Sequence, residues 1–203
     1  MINREEHVLS LISYDRQYRQ EGKLLAGMDE VGRGPLAGSV VTACVAIPEE
    51  PLLLWIDDSK KLSESRREKV YEEIIKHALY IGLGEIGPEE IDRINILQAT
   101  KQAMRAAAAK VPADCFLIDA VTNLGLNGKE IPIIKGDANS NSIAAASILA
   151  KVTRDHIMVD YDKVYPGYGF AKHKGYGTKD HYAAIREQGV TPIHRRSFLK
   201  VIH

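Results

Sequence analysis

Apolar residues recur along this chain with two different periods, and the switches between them mark out its elements. From Met1 to Lys23, Val8, Leu11, Ile12 and Tyr18 fall at helical spacing among Arg4, Glu5, Asp15 and Arg16, which predicts an amphipathic helix. Leu24 to Met28 is a short apolar run closed by Asp29-Glu30 and a Gly-Arg-Gly-Pro turn. Gly38 to Ile47 is a long β-branched run, so two neighbouring strands joined by a tight turn are expected. Ser65 with Glu68 forms a capping-box pattern ahead of the stripe Val70, Ile74, Ile75 and Ala78, hence a helix. Leu79 to Ile86 returns as a glycine-rich strand, and Pro88 opens a second helix through Ile91, Ile94, Leu97 and Met104 toward Lys110.

Cys115 to Ile118 is a continuous apolar run ending at Asp119, and Ile131 to Ile134 is another, ending at Lys135-Gly136-Asp137; both predict buried strands. A helix from Ser142 toward Tyr161 follows, its small residues suited to close approach to a sheet. Strands first, then alternating helices and strands, predict an α/β fold with a mixed β-sheet flanked by helices. Beyond Tyr161 the chain is rich in Gly, aromatic and basic residues, with a short helix near His181 to Glu187. The expected organisation is an N-terminal helix over 1–23, a main domain over 24–161 and a small helical and basic extension over 162–203.

Composition narrows the class. The 203 residues are 45% hydrophobic and 27% charged, as in an ordinary globular domain, and no stretch reaches the roughly 18 apolar residues of a membrane span. The N-terminal segment has no signal-peptide core. Cys44 and Cys115 each sit in an apolar run, which predicts two buried thiols, not a disulfide or a metal site, and a cytoplasmic location. The net charge is zero but uneven: Lys163 to His203 holds eight Lys or Arg against two acids, plus four His. Such a basic face marks a polyanion partner, with a solvated tail as the alternative.

The acids carry the chemistry. Asp29 and Glu30 end the first predicted strand, Asp119 ends a central one and Asp137 follows the next. In open α/β sheets the ligand crevice lies beyond the carboxyl ends of strands, so these acids can converge. Converging carboxylates suit a hard divalent cation, and two such ions, Mg²⁺ or Mn²⁺, support phosphodiester hydrolysis. Neighbours on a strand point to opposite faces, which sets Asp29 between the two ions and lets Glu30 reach one through the turn. The glycine-rich turn after Gly27 is no phosphate loop, since Arg33 and Gly34 stand where Lys and Ser or Thr are required.

The segments Ala26 to Gly38 (AGMDEVGRGPLAG), Asp57 to Ser63 (DDSKKLS), Leu117 to Ala120, Lys135-Gly136-Asp137, Ile143 to Asp155, His173 to Thr178 (HKGYGT) and His194 to Phe198 (HRRSF) resemble, in order, the blocks of the ribonuclease HII family. The resemblance runs from Leu24 to Phe198. It implies an RNase H-like fold and a metal-dependent endonuclease acting as a monomer on RNA-DNA hybrids and ribonucleotide-containing duplex DNA. Asp29, Glu30, Asp119 and Asp137 would be its catalytic metal ligands. Gly32, Arg33 and Gly34 would sense the ribose 2′-OH, Tyr176 the ribose-to-deoxyribose junction, and Lys60, Lys61 and Ser147 phosphates. Lys172 and Lys174, on the basic face, would add affinity. Ser39 departs from the Pro common in the family. Asp155 is the rival for the fourth acid, placed in a helix where pairing with Lys151 or Arg154 is its alternative role. The intact Gly-Arg-Gly disfavours the sister HIII type, and the full set of acids disfavours a non-catalytic duplex-binding module.

Overall fold

A computed structural model describes residues 3–199; Met1 of the expected first helix, and Lys200 and His203 of the basic extension, lie outside them. Five strands form one sheet in the order β3-β2-β1-β4-β5. They are β1 (Leu25–Val31), β2 (Val40–Ala46), β3 (Tyr80–Ile86), β4 (Cys115–Asp119) and β5 (Lys129–Ile133). The first three are antiparallel neighbours, whereas β4 and β5 run parallel to β1. The sheet is therefore mixed, with helices on both faces.

On one face, α6 (Asn141–Val164) lies along β1 and β2, joined by α1 (Arg4–Arg16) and α2 (Glu64–His77) around Val45, Ile56, Ile74 and Ile148. On the other, α4 (Ile96–Ala108) packs Met104 and Ala107 onto Met28, Cys44, Phe116 and Ile118. Gly27 makes the first packing possible: a Cβ there would fall onto the backbone of Ser142. Asp15 fastens α1 to the start of α6, its buried carboxylate accepting hydrogen bonds from Ser140 Oγ, Ser142 N and Ser142 Oγ at 2.6, 2.9 and 2.7 Å.

Several boundaries differ from the sequence expectation, each for a local reason. β1 continues through Asp29 and Glu30 to Val31, because both acids keep their ladder with β2. Helix α1 stops at Arg16, so Tyr18 lies beyond it and packs beside Tyr14 near Cys115. The cap of α2 is Ser63, whose hydroxyl accepts the Arg66 N–H, and not Ser65. The expected long helix from Pro88 is two helices, α3 (Pro88–Ile94) and α4, because Asn95 takes φ +68° and caps α4 with its side chain. Ile134 lies past β5 and is 81% exposed. Asp137 sits on a single turn, α5 (Gly136–Asn139), entered through Lys135 in the left-handed region.

Past α6 the chain forms α7 (Phe170–His173), which the sequence reading did not include, and α8 (Lys179–Gln188). Leu36, Ala37 and Met158 pack with Tyr168, Phe170, Ala184 and Ile193, so the C-terminal segment shares a core with the β1–β2 connection. Cys44 and Cys115 are free buried thiols. Among the described residues no helix is long and apolar enough to cross a membrane.

Candidate active site

β1 and β4 run parallel, so their carboxyl ends lie side by side, and the α5 turn after β5 opens at the same end. This brings ligand oxygens of Asp29, Asp119 and Asp137 within 4.8 Å of one another. Asp29 is 7% exposed, with its Oδ1 accepting the Glu30 N–H at 2.7 Å. Asp119 Oδ1 accepts the Gly136 N–H at 2.8 Å, which ties the α5 turn to the end of β4 and sets Asp137 in place. Glu30 stands apart from the three: its Oε1 pairs with Arg33 at 3.3 Å, and its Oε2 is buried without a hydrogen-bond partner.

The electrostatics of this cluster are unfavourable as it stands. Burial raises the Asp29 carboxyl well above the usual carboxylate range, and the charges of Glu30 and Asp119 push the same way. Burial also raises Glu30, against the pull of Arg33, and raises Asp119, against the Gly136 N–H. Close, buried, oxygen-only donors that repel one another, beside an orphaned carboxylate oxygen, are what a hard divalent cation corrects. These four acids therefore fit the metal that the sequence implies.

The cluster lies in a cleft of about 200 Å³ lined by Asp29, Glu30, Val31, Ser59, Lys60, Asp119, Ser147, Lys151 and Tyr176. Lys60 reaches Asp137 at 3.3 Å. The Ser147 hydroxyl lies against Asp29 and 2.8 Å from Ser59 Oγ. Tyr176 is 42% exposed at the rim. Lys61 turns the other way, onto Asp57 at 3.1 Å. Lys172 pairs with Asp180 at 3.1 Å on the surface, and Lys174 hydrogen-bonds the Ala171 carbonyl and lies 3.7 Å from Glu64. Asp155 stays in α6, paired with Lys151 at 2.6 Å and outside the three-acid cluster.

Gly32, Arg33 and Gly34 leave the end of β1 as a turn held from inside the protein. Gly32 needs φ +91°, and a Cβ there would strike the Arg154 side chain. Arg195, fully buried, donates to the carbonyls of Gly32, Arg33 and Gly38 at 2.6, 3.1 and 2.8 Å. Arg154, also fully buried, donates to Ser39, Ala37 and Lys174 carbonyls at 2.9, 3.1 and 2.8 Å. Sequence reading missed both clamps and counted Arg195 toward a basic surface. It also counted His173, His181 and His194 there, and all three are buried. Ser59 of the cleft has no role in the sequence pattern, and Lys151 enters there only as a partner for Asp155, though each lies inside a matched block.

The sequence profile of the Ribonuclease HII family matches residues 26–201. Ribonuclease HII of Ruminiclostridium cellulolyticum is 53% identical over 96% of this chain and 78% of its own length. The crystal structure of ribonuclease H2 from Pyrococcus horikoshii OT3 is similar with a TM-score of 0.69 at 28% identity, over 85% of this chain and 92% of that one. RNase HII of Archaeoglobus fulgidus, solved in a complex with PCNA, gives a TM-score of 0.75 at 26% identity, over 85% and 94% of the two chains. With a mixed sheet of RNase H type, carboxylates gathered at its strand ends and this similarity along nearly its whole length, the chain belongs to the ribonuclease HII family of metal-dependent nucleases, which cleave the RNA strand of RNA-DNA hybrids.

Proposed function

We propose that the chain, beyond cutting RNA-DNA hybrids, incises on the 5′ side of single ribonucleotides embedded in duplex DNA. Two divalent ions, Mg²⁺ or Mn²⁺, would serve it, and the products would carry 3′-hydroxyl and 5′-phosphate ends. Removal of misincorporated ribonucleotides is the role that fits this chemistry. The observation that carries the reading is the meeting of Asp29, Asp119 and Asp137 oxygens within 4.8 Å, in a cleft that Tyr176 also lines. Glu30, with its unpartnered buried oxygen, joins these three as a ligand in this reading. Bound ions supply charge neutralisation and Lewis acidity toward the phosphodiester.

The chain's own residues do the remaining work. A trans peptide points its N–H opposite to its carbonyl, so the hold of Arg195 on the Gly32 and Arg33 carbonyls aims the amides of Arg33 and Gly34 away from the buried guanidinium. Those amides can hydrogen-bond a 2′-hydroxyl whatever the base. Tyr176 packs against the adjoining sugar, where a second 2′-hydroxyl fits less well, so deoxyribose is favoured on the 3′ side. Lys60 and Ser147, in the cleft, take phosphate oxygens, and Lys61, Lys172 and Lys174 add charge along the flanking duplex. In this reading the chain acts as a monomer.

The test is an end-labelled DNA duplex with one internal ribonucleotide, incubated in Mg²⁺, in Mn²⁺ and in EDTA. A single cut on the 5′ side of the ribonucleotide is expected with either ion and none in EDTA. Cleavage in EDTA would sink the metal assignment, and a need for consecutive ribonucleotides would sink the junction reading.

A further inference from the structure

Behind the Tyr176 turn lie three histidines that the chemistry above leaves unused. His173, His181 and His194 are 8, 0 and 3% exposed. The rings of His173 and His181 stack at 4.4 Å, those of His181 and His194 lie 5.2 Å apart, and Phe170 stands edge-on to His173 and His181.

Their partners fix their tautomers, because a backbone carbonyl only accepts and a backbone N–H only donates. His181 Nδ1 lies 3.0 Å from the Tyr176 carbonyl, so that nitrogen carries the hydrogen. His194 Nδ1 receives the Thr191 N–H at 2.9 Å, so in the neutral ring its hydrogen is on Nε2. The Nε2 atoms of His194 and His181 face each other at 3.0 Å and make one matched pair: His194 donates and His181 accepts. His173 accepts the Gly175 N–H on Nδ1 at 3.1 Å and donates from Nε2 to the Tyr168 carbonyl at 2.7 Å. Three neutral imidazoles thus satisfy every ring nitrogen; the His194 tautomer selects that of His181, while His173 is set by its own two backbone partners.

We propose that His181 is a positioning residue for Tyr176: its Nδ1–H, presented in the tautomer that a relay from Thr191 through His194 selects, holds the Tyr176 carbonyl and, with His173 on Gly175, sets the turn that carries the phenol to the cleft. This rests on the reading of Tyr176 as the junction sensor. The turn needs such support, because Lys174 and Gly175 both hold positive φ and Tyr176 is exposed. The Tyr176 carbonyl also accepts the Thr178 N–H at 2.8 Å, which closes the turn locally. Arg154 on the Lys174 carbonyl, the Leu36 N–H on the Gly175 carbonyl and the Tyr176 N–H on the His173 carbonyl also hold the turn, and the His181 bond adds a buried side-chain donor at the Tyr176 carbonyl itself.

Two substitutions at one position separate positioning from stability. In H181N the side-chain amide takes the place of Nδ1, keeps a donor for the Tyr176 carbonyl and gives up the link to His194. In H181Q the amide takes the place of Nε2, keeps the link to His194 and gives up the donor. Each variant loses one buried hydrogen bond, so similar falls in Tm are expected. The preference for one embedded ribonucleotide over a long hybrid, as a ratio of kcat/KM, should stay within about twofold of wild type in H181N and fall about tenfold in H181Q.

In ¹⁵N spectra of the wild-type histidine rings, hydrogen should sit on Nδ1 of His181 and on Nε2 of His173 and His194. The Tyr176 ring resonances should move in H181Q and stay put in H181N. Other tautomers, unmoved Tyr176 resonances in H181Q, or equal falls in preference in the two variants would overturn the relay. Tyr176 resonances that move in H181Q while the preference holds would leave the relay standing and remove junction sensing from Tyr176. The tautomer test needs no variant and decides the matter even if H181Q does not fold.

Discussion

Asp29 is the side chain whose burial and charge conflict most directly. Its carboxyl is raised well above the usual range by burial first, then by Glu30 and Asp119. Asp29→Asn keeps the shape and removes the charge, so cleavage should fall by orders of magnitude while the metal-free protein becomes more stable. About 1 kcal/mol of relief would appear as a rise of roughly 2–4 °C in Tm, measured in EDTA. Near-wild-type turnover would show that Asp29 is not a ligand. Asp137 and Asp155 can be ranked the same way. Asp137 meets the other acids, whereas Asp155 is held by Lys151 at 2.6 Å. Asp137→Asn should therefore be far more damaging to turnover than Asp155→Asn, and the reverse order would put the fourth carboxylate on α6. The acids were legible in the sequence because each lies at or just past the end of an apolar run, and the parallel order of β1, β4 and β5 brings those ends together. Arg154, Arg195 and the three histidines were not, because such residues usually face solvent and only tertiary contacts reveal that these do not.

At the level of elements, α6 organises the molecule. It packs on β1 and β2, carries Ser147 and Arg154, and is anchored at its start by Asp15 of α1. Asp15→Ala would leave the Ser140 and Ser142 hydroxyls and the Ser142 N–H without their buried acceptor. A loss of about 2–3 kcal/mol follows, or roughly 5–10 °C in Tm, with the cleft geometry kept. Calorimetry beside a turnover assay below the transition checks this; an unchanged Tm would mean that α1 contributes little to the fold. Elements such as β2 and α6 could be read from the chain because a β-branched apolar run and a long stretch of small residues each persist over many positions. The break at Asn95 could not, since the apolar spacing runs through it and only the backbone turn to φ +68° divides α3 from α4. The cap at Ser63 was misplaced by two residues because Ser65 offers the same chemistry one step inside the helix.

For the whole molecule, the histidine cluster sets a response to acid. Burial lowers His181, and burial followed by the charges of its histidine neighbours lowers His194 from 6.5 to about 4. In the unfolded chain these rings take up protons near pH 6.5, whereas in the folded protein His194 resists until about pH 4 and His181 is displaced in the same direction. Their contribution is therefore complete above pH 6.5 and lost progressively as the pH falls through that window. The groups around them leave this sign intact: Asp180 is paired with Lys172, Arg195 is spent on backbone carbonyls, and Tyr168 presents a phenol. The raised carboxylates at the cleft act in the opposite sense, so the measurement is a difference. Denaturant unfolding of wild type and H194Q from pH 7 to 4.5 in EDTA should show the flatter pH dependence in the variant. Equal slopes would mean that His194 takes up its proton alike in both states. The Gly32 turn has a different history, because one of its clamps lies 163 residues away at Arg195. At about 5–20 residues per second, a ribosome would deliver Arg195 roughly 8–30 s after Gly32. Chains arrested at successive lengths should show protection of the Gly38 amide, which bonds the Ile193 carbonyl, from hydrogen exchange only once the segment through Arg195 is present. A chain arrested after α6 but short of Arg195 would then carry all four acids and lack the means of choosing what they cut.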